Sequence, residues 1–334
     1  MGKSNRSLGC ALVACALAAS DVSGQNTESN AHVAAAKAAA KADHRQLFTS
    51  LCSPVAPGRG TGRQGRAAQP GALPASPAPP PKESWHAEPM KVFDNLYFVG
   101  MKDVSAWAVN TSQGIIVLDA LYDYSVDDEI AEGLKKVGLD PATIKYVVVS
   151  HGHGDHSAGA KYLQDRYNAR VMLSATDWDL LDRGRPGTPK PRRDMVGTDG
   201  QKLTLGDTTL TMYLTPGHTP GTLSYLIPVK DGGVPHLVAE WGGTAFNFPR
   251  TPDNFRIYAA SAERFGAIAA AAGADALISN HSDYDGSKQK IPALKDRKPG
   301  DPHPYVVGPD SVKRYMKVAE ECAKAWVGRA GQAH

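Results

Sequence analysis

YVVVSHGHGDHSAGAKYL, residues 146–163, places three of the chain's eleven histidines within six positions, directly after a run of valines. Val147, Val148 and Val149 have the uninterrupted β-branched character of a strand buried on both faces, so the next loop leaves a strand's C-terminal end. Ligands gather there in α/β folds. A solvated loop has no use for His151, His153, Asp155 and His156, and a buried imidazole without a partner costs about 1–3 kcal/mol. Something bound must offset that cost. In an extended loop residues two apart project to one side, so His151 and His153 grip one ion together. Asp155 and His156 then turn toward a neighbouring position, a second ion site. Gly152 and Gly154 are expected to let the backbone turn tightly between them, and the small residues Ser157, Ala158 and Gly159 to start a helix packed close behind the loop. Imidazoles with a carboxylate and no thiolate suit zinc best, iron or manganese less well.

Two ions need further ligands. LTPGHTPGT (214–222) puts His218 after a strand at 210–214, and ALISNHSDYDG (276–286) puts His281 after a strand at 276–278. Alone, either histidine reads as an ordinary surface or core residue. Five histidines and an aspartate, all at strand ends, read as a metal centre. His32, His44, His86, His236, His303 and His334 have no such setting.

Outward from this loop, strands are predicted at 91–93, 96–99, 106–110, 114–118 and 144–150, and again within 203–214 and 223–229. Helices are predicted at 126–137, 157–167, 255–272 and 310–327. A meander followed by strand–helix units, without repeats, gives an α/β protein with two packed sheets and helices outside. On the last helix Val312, Tyr315, Met316, Ala319, Cys322, Ala323 and Trp326 share one face, which turns Cys322 inward.

The N-terminus has a different character. Lys3 and Arg6 precede a short apolar run at 8–19 and then small residues, the pattern of a signal peptide over 1–24. The run falls short of the roughly 20 residues a membrane span needs, and no other stretch could span a membrane; acylation at Cys15 is the alternative fate. A periplasmic or secreted protein is expected. Residues 25–52 read as an Ala- and Lys-rich helical segment, and 53–83, with eight prolines and five glycines, as a linker that cannot bury a core. Within it, residues 60–65 match GxGxxG but lack the flanking strand and helix that would give the motif meaning. Removing the signal leaves Cys52 and Cys322, either two buried thiols or a disulfide docking the helical segment on the catalytic domain. The 334 residues carry a net charge of +3 and 42% hydrophobic residues, with no stripe of basic residues among aromatics. Nucleic acid is thereby disfavoured as a partner, and a monomer acting on a small molecule is expected.

HxHxDH, a later TPGHTPG and a final strand-end histidine resemble the metallo-β-lactamase superfamily over roughly residues 84–329. The resemblance implies an αββα sandwich and two zinc ions per chain. It assigns His151, His153 and His218 to the first ion and Asp155, His156 and His281 to the second. Asp119 in GIIVLDA (114–120) would brace the metal loop from behind, unless it only forms a turn at a strand end.

Departures from individual branches narrow this reading. Flavin-linked di-iron relatives carry Glu where His153 stands, and their fused flavodoxin domain is not expected here, which disfavours redox chemistry. Nor is the further domain of superfamily nucleases. Glyoxalase-type relatives have a GDTLF-like segment whose Asp bridges both metals; here Gly243, in Gly242-Gly243-Thr244-Ala245-Phe246, stands in its place. Histidine at all five imidazole positions is similar to the subclass B3 β-lactamases, as is the stretch DSVKRYMKVAEECAKAW (310–326). The implied activity is zinc-dependent opening of a cyclic amide, a β-lactam first, by hydroxide oriented by Asp155, with antibiotic resistance as the consequence. A lactonase or other ester or thioester hydrolase is the alternative, and a non-catalytic periplasmic zinc-binding protein a lesser one. In VAEWGGTAF (238–246), Glu240 and Trp241 stand where subclass B3 relatives would hold the substrate carboxylate. Weaker holding and a high KM are the expectation.

Overall fold

Alternate side chains of the valine run enter different cores: Val147 and Val149 pack outward against helices, while Val148 packs inward against a second sheet. With both faces covered, no polar residue is tolerated, hence the unbroken apolar run. The architecture comes from a computed structural model that describes residues 27–53, 78–184, 188–298 and 300–330. The expected signal peptide, the GxGxxG match and most of the Pro/Gly-rich segment lie outside those residues.

Seven strands form the first sheet in chain order. These are β1 (Met90–Lys91), β2 (Leu96–Phe98), β3 (Trp107–Thr111), β4 (Gly114–Leu118), β5 (Ile144–Val148), β6 (Arg170–Ser174) and β7 (Met195–Gly197). The first four make an antiparallel meander; β4 to β7 run parallel. The second sheet contains β8 (Lys202–Leu205), β9 (Thr208–Leu214), β10 (Leu223–Asp231), β11 (Val234–Trp241) and β12 (Ala276–Ser279), with only the β11–β12 pair parallel.

Between the sheets lies one apolar layer that includes Trp107, Leu118, Val148, Met212, Tyr225 and Ile278. The outer face of the first sheet buries Val117, Val147 and Val171 against Ile130, Leu134 and Leu163. The outer face of the second buries Ala239 and Trp241 against the helices Pro252–Ala271 and Pro309–Ala330 through Tyr258, Phe265 and Tyr315. The result is the metallo-β-lactamase fold, helix–sheet–sheet–helix.

Two helical stretches, residues 27–40 and Arg45–Cys52, lie on the C-terminal helix with Ala36, Ala40, Leu47 and Leu51 in the same buried cluster. Cys52 and Cys322 are joined by a disulfide, with Cα atoms 4.8 Å apart. Trp326 donates its indole N–H to the Leu51 carbonyl at 2.7 Å.

Several elements depart from the sequence reading. The strand predicted to reach residue 150 ends at Val148, because Asp119 Oδ1 takes the Ser150 N–H at 2.6 Å. The helix predicted over 157–167 is split into a turn at Gly154–Ser157 and a helix at Ala160–Tyr167, since Gly159 donates its N–H to Leu121 O across the loop. The segment predicted as a helix at 126–137 opens with a π-helical turn, Asp127–Ala131. Strands β6, β7 and β11 and the helix Ala175–Asp182 were not predicted at all.

Candidate metal centre

The loop after β5 and the loop after β9 belong to different sheets, yet they bring three imidazoles together. His218 Nε2 lies 3.0 Å from His151 Nε2 and 3.0 Å from His153 Nδ1. Beside them His156 Nε2 lies 3.1 Å from His281 Nε2, which arrives after β12, and Asp155 Oδ2 lies 3.4 and 3.6 Å from those two nitrogens. The six residues named from the sequence thus gather as two triads, each with its ligand atoms within 4.8 Å of one another.

The chain bends through 151–153, as expected of the glycine loop, though neither Gly152 nor Gly154 needs a left-handed backbone to do so. It is extended at His153 and then rolls into the helical turn at Gly154–Ser157. The bend brings His151 and His153 to His218; the turn swings Asp155 and His156 to the next position.

Four of the five rings are oriented by what their outer nitrogen donates to. His151 Nδ1 donates to Gly242 O at 2.9 Å, His218 Nδ1 to Ala245 O at 2.5 Å and His281 Nδ1 to Asp103 O at 2.9 Å. His156 Nδ1 donates to Asp119 Oδ2 at 2.8 Å. On His151, His218 and His281 the bond leaves a lone pair on Nε2 facing inward, and on His156 it turns Nε2 the same way, the arrangement that orients metal-ligating histidines. Asp119 braces the loop as the resemblance implied: it also accepts from the Ser150 N–H and, at 2.9 Å, from the Ser150 hydroxyl. It does so from a left-handed backbone, φ 60°, an uncommon conformation for a residue other than glycine. Asn280, overlooked in the sequence, donates Nδ2 to Gly242 O at 2.7 Å and so steadies the carbonyl that orients His151.

The charge divides unevenly. Burial pushes His218 down to about 3 and His151 well below the usual range, so both rings are neutral. Burial also lowers His153 and His281. On His156 burial acts the same way, but Asp155 and Asp119 outweigh it and raise the ring to about 10. Burial would raise Asp155, yet the neighbouring imidazoles, His156 foremost, hold it well below the usual carboxylate range. Inward lone pairs, nitrogen and oxygen donors about 3 Å apart and no thiolate fit zinc, whose bonds to such atoms are about 2.0–2.2 Å.

Glu240 and Trp241, expected to hold a substrate carboxylate weakly, sit where none could reach them. Both lie in β11 and are buried, because the strand covers both of its faces. Glu240 faces the space between the sheets opposite Tyr225, and Trp241 donates to the Tyr258 hydroxyl among the outer helices at 3.0 Å. The other described histidines bond away from the centre: His32 to Glu321, His44 to Ser311 O, His86 to Glu129, His236 to Asp275 and His303 to Val92 O. His334 lies outside the described residues.

Residues 99–234 match the family described as the metallo-beta-lactamase superfamily. A hydroxyacylglutathione hydrolase of Acidiphilium cryptum is 34% identical over 98 residues, covering 29% of this chain and 37% of its own length. An N-acyl homoserine lactonase, AttM, of Azorhizobium caulinodans is 27% identical over 193 residues, covering 51% of this chain and 70% of its own. Among solved structures, BJP-1, a subclass B3 metallo-beta-lactamase of Bradyrhizobium japonicum, superposes with a TM-score of 0.59 at 28% identity, covering 70% of this chain and 91% of that one.

Proposed function

We propose that this chain, a metallo-β-lactamase superfamily hydrolase, uses two zinc ions to open a cyclic amide, a β-lactam first, outside the cytoplasm. The observation that carries the reading is the ligand set: five imidazoles and a single carboxylate. A Cβ on Gly243 would lie 2.5 Å from that of His218, nearer than real side chains approach. No carboxylate can enter from that position, and Asp155 is the one acid of the two triads. The likeness to a subclass B3 enzyme over most of that enzyme's length supports a β-lactam substrate. The Cys52–Cys322 disulfide supports export to the periplasm or beyond, since oxidising compartments preserve such bonds.

Bound zinc would supply Lewis-acid polarisation of a carbonyl and lower the pKa of water to about 7. His151, His153 and His218 would hold the first ion, and Asp155, His156 and His281 the second. The Asp155 side chain is 24% exposed while the His151, His156 and His218 rings beside it are sealed. Its carboxylate, kept ionised by the imidazoles, would accept a hydrogen bond from the attacking water and align it; held so far below the usual range, it positions the water rather than storing its proton. The carbonyls of Gly242 and Ala245 keep the His151 and His218 rings from rotating as charge develops. No serine nucleophile is needed.

The test is turnover of a penicillin, a cephalosporin and a carbapenem by zinc-loaded protein. Hydrolysis abolished by a chelator and indifferent to serine-trapping inhibitors is the expected result. A lactonase reading is favoured by the likeness to AttM over 70% of that protein's length. It replaces the first if all three β-lactams stay intact while an N-acyl homoserine lactone is opened. Zinc uptake with no turnover of lactam, lactone or thioester would leave a zinc-binding protein.

A further inference from the structure

Asp119 holds a ring of the second triad directly and reaches the first only through Ser150, whose hydroxyl lies 3.0 Å from His151 Nδ1. It grips His156, whereas His151, His153 and His218 come from two loops that nothing in the ligand set joins. The side chain that joins them is Asp177, fully buried in the helix Ala175–Asp182 after β6. Its Oδ2 accepts the Gly152 N–H at 2.8 Å, between His151 and His153, and the Thr219 hydroxyl at 2.7 Å, next to His218. Its Oδ1 accepts the Gly221 N–H at 3.0 Å, in that second loop. Both oxygens are therefore spent on spanning two loops that belong to different sheets. The packing is tight: a Cβ on Gly221 would lie 2.1 Å from Ser174 Oγ and 2.5 Å from Asp177 Oδ1. Ser174 itself accepts the Asp177 N–H at 3.2 Å, fixing the carboxylate's origin.

We infer that Asp177 is the positioning residue of the first ion, setting the separation of the His151–His153 loop from the His218 loop as Asp119 sets the pose of His156. The inference rests on the zinc reading above. An ionised carboxylate is the one side chain of this size that accepts three hydrogen bonds without donating any. Asparagine in its place turns an NH2 toward at least one of the three donors.

Zinc titration of the full chain against a competing chelator, resolving the two affinities, tests this. Asp177→Ala is expected to weaken the first ion about 10–100-fold, the usual cost of losing such a partner, with the second ion changed by less than about threefold. Asp177→Asn should fall between that and wild type. Thr219→Val, which deletes one of the three bonds and keeps the side chain's volume, should weaken the first ion less than Asp177→Ala does. With cobalt as the probe, the visible spectrum of the first-bound ion should shift in Asp177→Asn while that of the second stays in place. Unchanged first-site affinity in both Asp177 variants overturns the inference. So does equal weakening of both sites in step with a lower melting temperature of the metal-free protein, the mark of a structural role only. If wild-type protein takes up no zinc, the metal reading itself fails, and the unmodified chain alone shows it.

Discussion

The two triads stand side by side and are built on opposite principles. His151 and His218 are 1% and 4% exposed, all three members of their triad are imidazoles, and burial keeps the rings neutral. Asp155 and His281, in the other triad, have side chains 24% and 21% exposed, and the charge is concentrated there on Asp155 and His156. One triad is shaped to hold, and the other presents a carboxylate to the cleft. Each has a buried aspartate behind it: Asp119 grips a ring directly, and Asp177 ties two loops. The contrast is one of charge more than of burial, since His153 of the first triad is partly exposed and His156 of the second is sealed.

The largest effect should come from breaking the sealed half. His218→Ala is expected to lower kcat/KM about 10³-fold or more, since several kcal/mol of Lewis-acid stabilisation go with the first ion. His281→Ala should instead weaken the second ion and leave the first bound. Steady-state kinetics with zinc analysis of each variant checks this, and the comparison breaks if the two lose the same ion.

Next in size, Asp119→Ala should lower affinity for the second ion by about 10–100-fold and weaken the first less, since it reaches His151 only through Ser150. Chelator competition reads the two constants. Equal loss at both sites would mean that Asp119 supports the whole loop rather than His156.

A subtler contrast concerns protons. A ring raised to about 10 is protonated at neutral pH and must lose that proton to become a ligand. Filling the second site at pH 7 should therefore release close to one proton, and its affinity should rise with pH. The first site, whose rings burial holds below the ordinary imidazole range, should release fewer. Calorimetry in buffers of different ionisation enthalpy counts the protons, and equal release at both sites would erase the distinction.

The smallest effect is expected from Glu240, buried between the sheets and without a hydrogen-bond partner among the described residues. Burial, then Asp119 and Asp285, push its carboxyl well above the usual range. Above its ordinary value of 4.5 the unfolded chain loses a proton that the folded chain keeps, so stability falls as pH rises from there. Glu240→Gln should remove that slope in metal-free protein. Denaturant melts at several pH values would show it, and an unchanged slope would count against the assignment.

Much of the centre was legible because metal ligation is a chemical pattern. His151, His153, Asp155 and His156 announce themselves by density, and His218 and His281 by recurring at the ends of apolar runs. Asp177 was not legible: an acid early in a helix is common, and its partners Gly152 and Gly221 lie far from it in sequence. Glu240 and Trp241 were set beside the substrate by likeness to relatives alone, and their place in a strand covered on both faces shows only once the sheets pack. The β6, β7 and β11 strands were missed for a related reason. ARVML carries a strand pattern too short to separate from a helix end, and three-residue β7 exists only because β6 offers it an edge.

By itself, the sequence determined which side chains are candidate metal ligands and which strand carries the first of them. Side-chain chemistry and local period are properties of neighbouring residues. Only the tertiary structure decided which loop meets which, that the two triads differ in exposure and charge, and that Asp177 spans the first of them. Those depend on how two sheets pack, and the distances that result join residues as far apart as His156 and His281. No local pattern encodes such a distance; it follows from the buried layer between the sheets, which places all the strand ends at once.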